Sequence, residues 1–293
     1  MTIKTAKIRF TTAMFIFGTI GLFVRWIPLP SAVIALGRAA IGMVFLLAVI
    51  AVKKTPISKD TIRRNLPWLL FSGALLGFNW ILLFESYRYT SVAVSTLCYY
   101  MAPILIILAS PIVLRERLTV RKILCVLAAL VGMVCISGVL SEGIPESGEL
   151  KGILLGLAAA VLYAAIVLAN KRIHDISAYD KTIFQLGVSA LMLLPYCLLT
   201  VPAASLNGEP KTLLMLLFVG IVHTGVTYYL YFGAMEFIPA QSVAVISYVD
   251  PVVAVLASVL ILHEPMALTE GIGAVLILGA AAASELEKKE GEP

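Results

Sequence analysis

The chain has 293 residues, 60% of them hydrophobic and 13% charged, with a formal net charge of +5 and a mean hydropathy of +1.00. An ordinary soluble domain carries roughly 25% charged residues, so a soluble enzyme or binding module is excluded and a membrane protein is indicated. The basic residues are dispersed over short loops with no binding module among them, which argues against a nucleic-acid partner.

A helix needs roughly 20 apolar residues to cross a hydrocarbon core. Such runs are predicted at 8–27, 31–52, 66–86, 92–114, 119–139, 150–171, 178–200, 211–233, 241–262 and 267–286. Lys4, Lys7 and Arg9 precede the first run. It is read as a membrane helix and not as a signal peptide, because no small-residue cleavage site follows promptly and the segment has a counterpart later in the chain. The second run carries Arg38 in "ALGRAAIG", the third Asn79 and Trp80, and the fourth Tyr99, Tyr100 and Pro103. Cys98, Cys125, Cys135 and Cys197 all fall inside predicted helices without metal-ligand spacing, so they read as small apolar side chains, with neither disulfide nor bound metal. Little sequence remains for a nucleotide-binding domain, which excludes an ATP-driven pump. A membrane-embedded enzyme finds no support: there is no paired catalytic carboxylate, no nucleophile with a base and no Gly-rich phosphate loop. No cofactor is expected.

Lysine and arginine set the expected orientation. With both termini inside, Lys4, Lys7, Arg9, then Lys53, Lys54, Lys59, Arg63 and Arg64 lie on the cytoplasmic side. So do Arg115, Arg117, Arg121, Lys122, Lys171, Arg172, Lys181, Lys288 and Lys289. Only Arg25, Arg88, Lys151 and Lys211 fall outside. This positive-inside bias predicts a multi-pass protein of the cell (inner) membrane with cytoplasmic N- and C-termini.

The stretch "YMAPILIILASPIVLRE" (100–116) aligns with "YVDPVVAVLASVLILHE" (248–264) at an offset of 148, keeping Tyr100 with Tyr248, Pro103 with Pro251 and Glu116 with Glu264 in one register. This is read as a duplication, with a first five-helix repeat at 1–142 and a second at 149–293. Five is odd, so the second copy must enter the membrane from the opposite side. The basic loop at Glu116 and the loop at Glu264, which lacks Lys and Arg, agree with that. The fold class expected is therefore an all-α integral membrane protein of ten transmembrane helices in two inverted five-helix repeats. Inverted repeats are a transporter architecture, with the substrate site near the midplane where the halves meet.

The five-plus-five layout, the "P...LRERLT" and "P...LHEP" patterns closing runs four and nine, and the basic endings "GLFVR" (21–25) and "VLANKR" (167–172) resemble the drug/metabolite transporter superfamily, specifically its ten-helix EamA-like exporters. The resemblance covers nearly the whole chain, with Phe17-Gly18 where members' first helices usually carry Trp-Gly. It implies that helices 1, 3, 4, 6, 8 and 9 line a central cavity while 5 and 10 lie at the periphery.

The duplication separates architecture from chemistry. Pro103 and Pro251 occur in both halves and each frees the carbonyl four residues earlier, at Tyr99 and Ser247, so they are expected to act as hinges. At the same offset Asp250 faces Ala102, His223 faces Leu75, Asn79 faces Thr227 and Trp80 faces Tyr228. Polar groups within a bilayer belong in the protein interior or a wet cavity. Asp250, Asn79, Trp80, Tyr99, Tyr163, His223, Thr227, Tyr228 and Ser247 are therefore the substrate-binding candidates. His223, Thr227 and Tyr231 fall on one face at i, i+4 and i+8, and His223 reads either as a cavity group or as one end of an interhelical hydrogen bond. Arg38 lies about two turns from the outer end of its helix. It is expected to pair with an acidic or carbonyl partner or to snorkel, with substrate contact as the secondary reading.

The expected function is a secondary transporter exporting a small polar metabolite, an amino acid or related compound, by alternating access. The alternative is a multidrug or cationic-compound proton antiporter, in which aromatic rings hold the cation. The partners expected are a small-molecule substrate and the lipid bilayer, with the chain a monomer or homodimer.

Overall fold

A computed structural model describes residues 1–24, 26–86, 89, 98–115, 119–136, 150–206, 208–262 and 268–285. The described residues are all-helical apart from turns and short connections, with no strand among them. In chain order the helices are α1 (Ile3–Val24), α2 (Ser31–Val52), α3 (Lys59–Ser86), α4 (Ala102–Leu114), α5 (Val120–Ile136), α6 (Leu150–Asn170), α7 (Ala178–Thr200), α8 (Pro210–Met235), α9a (Ala240–Ile246), α9b (Val249–Leu262) and α10 (Leu268–Glu285). Five of these helices contain stretches long and apolar enough to cross a bilayer: α2, α3, α6, α7 and α8.

The predicted boundaries agree with the helices to within a few residues, except in three places. α3 begins at Lys59, ahead of the apolar run, with Asp60 in its first turn where a carboxylate suits the helix dipole. Of the run expected at 92–114, residues 92–97 lie outside the described residues, and the remainder is interrupted by a turn at Tyr100–Met101 before α4 begins. The run at 241–262 is divided by a turn at Ser247–Tyr248 into α9a and α9b. The cause is local: Pro251 has no N–H to give to the Ser247 carbonyl, which instead accepts a tighter bond from the Asp250 N–H at 3.3 Å. Pro103 and Pro251 thus sit in the first turn of new helical segments, where a missing donor costs little.

α3 packs on α6 and α7, α2 on α7 and α8, α1 on α8 and α9b, α4 on α6 and α9a, and α5 on α10. Small residues permit these approaches, because lipid-facing helices associate by close van der Waals packing. A Cβ at Gly132 would lie 2.8 Å from the Gly273 carbonyl oxygen. The largest apolar cluster includes Phe10 and Met14 of α1, Ile106 and Ile107 of α4, Ile166 of α6 and Met235 of α8. Met14 and Ile166 of this cluster also face a cavity between the helices.

Candidate substrate cavity

A cavity of about 260 Å³ opens where α1, α2, α3, α4, α6, α8 and the two parts of α9 converge. Its two charged wall residues are Arg38 and Asp250. Asp250 is placed by the interruption in its own helix. It falls in the first turn of α9b, where the unpaired backbone amides of a helix start favour an anion. Tyr100 lines the same cavity. α1 crosses directly against the backbone here: a Cβ on Gly18 would fall 2.4 Å from the Asp250 carbonyl oxygen and 2.6 Å from Val253 Cβ, so only glycine fits.

Arg38 is buried, and no acidic residue pairs with it among the described residues. It is 8% exposed, its Nε donates to Thr224 Oγ1 at 3.0 Å, and its Cζ lies 4.8 Å from the centroid of the Trp80 ring. Its terminal nitrogens have no hydrogen-bond partner among the described residues, and no direct ion pair joins Arg38 to Asp250 there. Thr224 is offered to it by a π-helical turn, Ile221–Val226, inside α8. In that turn Thr224 Oγ1 donates to the Val219 carbonyl and Thr227 Oγ1 to that of Val222, each five residues back. Such π turns are frequent at functional sites.

Aromatic side chains form much of the remaining wall. Trp80 stands 6.0 Å from Tyr228 between ring centroids, and Phe17 stands 4.9 Å from Tyr228 and 5.9 Å from Tyr231. Tyr99 lies 5.6 Å from Tyr163, whose hydroxyl meets those of Tyr231 at 2.8 Å and Ser247 at 3.4 Å. Ser247 Oγ donates to the Val243 carbonyl at 2.8 Å. Asn79 is 1% exposed; its Nδ2 donates to the Ala159 carbonyl at 2.7 Å, while Oδ1, on a cavity-lining side chain, has no partner.

The cavity thus brings together Asp250, Asn79, Trp80, Tyr99, Tyr163, Tyr228 and Ser247 from the sequence candidates, and adds Arg38. Pro103 also lines it, whereas Pro251 is buried behind the wall. His223 and Thr227 are not in the wall. His223 Nε2 meets Thr19 Oγ1 at 3.1 Å, and the ring lies 4.9 Å from Phe23 and 5.6 Å from Phe218. Because the Thr19 hydroxyl already donates to the Ile16 carbonyl, Nε2 is the donor in this contact. The π turn explains the placement: its extra residue shifts the helical register, so the i, i+4, i+8 face counted from His223 does not continue straight to Tyr231. Phe17, Tyr100 and Tyr231, on helices that the resemblance expects around the cavity, join its wall. The glycine beside Phe17, marking a close helix crossing, is the signal that pointed to it.

No group of three His, Cys, Asp or Glu side chains among the described residues could hold a metal ion. All four cysteines are free thiols.

The EamA-like transporter family model matches the chain twice, over residues 7–138 and 150–284. The chain belongs to this family. Like other EamA-like proteins of the drug/metabolite transporter superfamily, it is a multi-pass membrane transporter and not an enzyme. It is 30% identical to the uncharacterized transporter YxxF of Bacillus subtilis (strain 168), over 99% of this chain and 92% of that protein. It is 25% identical over 232 residues to a protein of Ancylobacter novellus named aromatic amino acid exporter YddG, spanning 78% of this chain and 79% of the relative. A solved crystal structure at 21% sequence identity superposes with a TM-score of 0.86 over 96% of this chain and 98% of the other, which establishes the fold.

Proposed function

We propose that this transporter exports a small polar metabolite, an amino acid or related compound, by alternating access of two inverted five-helix halves, 1–142 and 149–293, in the cell (inner) membrane with both termini cytoplasmic. The observation that carries the reading is Asp250, a charged residue in the wall of a cavity lined by helices from both ends of the chain. A charge so placed is costly unless it has work to do or a partner. The helix pairing supports the inverted halves. α3 on α6 has its counterpart in α8 on α1, α3 on α7 in α8 on α2, and α4 on α6 in α9b on α1. The repeat mates Tyr100 and Tyr248 also touch, the Tyr248 hydroxyl donating to the Tyr100 carbonyl at 3.1 Å.

The size of the cavity, about 260 Å³, lies below the roughly 300–1,000 Å³ of sites for drug-sized molecules, which supports a small metabolite over a bulky lipophilic cation. The name of the Ancylobacter relative supports an amino acid. The turns ahead of Pro103 and Pro251 serve as the bending points. The test is uptake of a panel of radiolabelled amino acids into proteoliposomes holding the purified protein. Asp250→Asn is expected to abolish the signal while expression and melting temperature stay close to those of the parent. Normal uptake by that variant, or uptake of lipophilic cations alone, would sink the proposal.

A further inference from the structure

Resting on that reading, we infer that Arg38 is the second half of a zwitterion-reading pair: the cavity takes a molecule whose carboxylate docks on the Arg38 guanidinium while its ammonium docks on Asp250, and it discriminates against the corresponding amine and the corresponding acid. Arg38 is held from behind and left open in front. Thr224 fixes Nε at 3.0 Å and the Trp80 ring supports the guanidinium plane, while the terminal nitrogens have no hydrogen-bond partner among the described residues. A planar guanidinium anchored in this way presents two parallel donors, the geometry that matches a carboxylate's two oxygens.

In the same cavity Asp250 stands at the start of α9b. The two side chains line one space without an ion pair closing it, so neither neutralises the other by contact. One positive and one negative wall charge make the cavity neutral as a whole. A ligand bearing only a cation would satisfy Asp250 and face Arg38 with a like charge; one bearing only an anion would do the reverse. A zwitterion satisfies both. Asn79, which also lines the cavity, keeps its amide pinned to the Ala159 carbonyl and its Oδ1 buried and unpartnered.

The experiment measures binding to purified protein, by thermal shift and by displacement of a bound radiolabelled amino acid. Three matched probes are used: L-phenylalanine, 2-phenylethylamine, which lacks the carboxylate, and 3-phenylpropionate, which lacks the ammonium. A parallel leucine set covers an aliphatic side chain. In the parent protein at least one amino acid is expected to bind tenfold or more tighter than its amine and its acid. Arg38→Gln should lose at least tenfold for the amino acid while the amine binds as well as before or better. Asp250→Asn should show the mirror pattern with the acid. Arg38→Lys, which keeps the charge but not the fork, should fall between parent and Arg38→Gln, and covers the case in which Arg38→Gln fails to fold.

Equal binding of amine and amino acid by the parent, or undiminished amino-acid binding by Arg38→Gln, overturns the inference. If the amine also supports uptake that Asp250→Asn abolishes, the transporter reading survives and only the zwitterion pair falls. A parent protein that answers none of the six probes yet binds tetraphenylphosphonium overturns both.

Discussion

The turn at Tyr100–Met101 ahead of Pro103 and the turn at Ser247–Tyr248 ahead of Pro251 interrupt two helices at matching positions of the repeated sequence, yet the first is followed by Ala102 and the second by Asp250. The segments that follow both end at matching residues, Leu114 and Leu262. The backbone device is thus shared, and the charge was added to one copy of it. Ala102 is buried, lines the cavity and presents nothing polar. Asp250 sits at a helix start in the cavity that Arg38 also lines, where the proposal makes the same backbone break a binding position. A helix break in a membrane exposes amides that can be used by an anion, and only the half that supplies the anion uses them.

The comparison is broken most directly at the charged copy. Asp250→Asn should lower transport in proteoliposomes by roughly 100-fold or more, because it removes charge without removing volume, with little change in melting temperature. Loss of fold together with activity would instead make the carboxylate a structural residue.

Loading the other copy should sharpen the contrast. Ala102→Asp adds a second carboxylate with no second arginine to answer it, and should destabilise the protein by about 3 kcal/mol, read as a lowered thermal midpoint in detergent. A stable Ala102→Asp protein would mean that the two breaks are electrostatically equivalent.

Gly18→Ala tests the contact that positions Asp250. The added methyl has to move α1 away from the Asp250 carbonyl and Val253, at a cost of about 1–3 kcal/mol, and transport should fall with it.

Tyr100→Phe removes a hydroxyl from the cavity wall while keeping the ring stacked on Tyr248 at 6.1 Å. Loss of one hydrogen bond in the site corresponds to about 1 kcal/mol, or roughly fivefold in substrate affinity by displacement assay.

The smallest effect is expected at the prolines. Pro103→Ala and Pro251→Ala leave first-turn positions that alanine can occupy, so the protein should insert and fold while transport slows by about two- to threefold as the breaks become easier to bridge. An unslowed double variant would remove the hinge assignment.

The repeat mates Tyr100 and Tyr248 stack on each other, and Tyr100 also lines the cavity with Asp250, a residue present in one half only. The membrane class and helix positions were legible because they depend on quantities the chain carries locally: the length of an apolar run and the missing N–H of a proline. α2 and α7 start and end where their apolar runs do.

Which way each helix faces was decided by its neighbours. In water an amphipathic stripe declares the buried side; in lipid a helix apolar all round has no such marker. Arg38 and His223 make the point, since each carried two readings. The arginine is held by Thr224 and Trp80 at the cavity wall, its secondary reading, and the histidine takes the interhelical bond, to Thr19 beside a π turn that no apolar periodicity announced. Sequence determined the helices and where they break, because backbone hydrogen bonding is local. Tertiary structure alone decided which polar side chains share the cavity, because that depends on the rotation of each helix against the others.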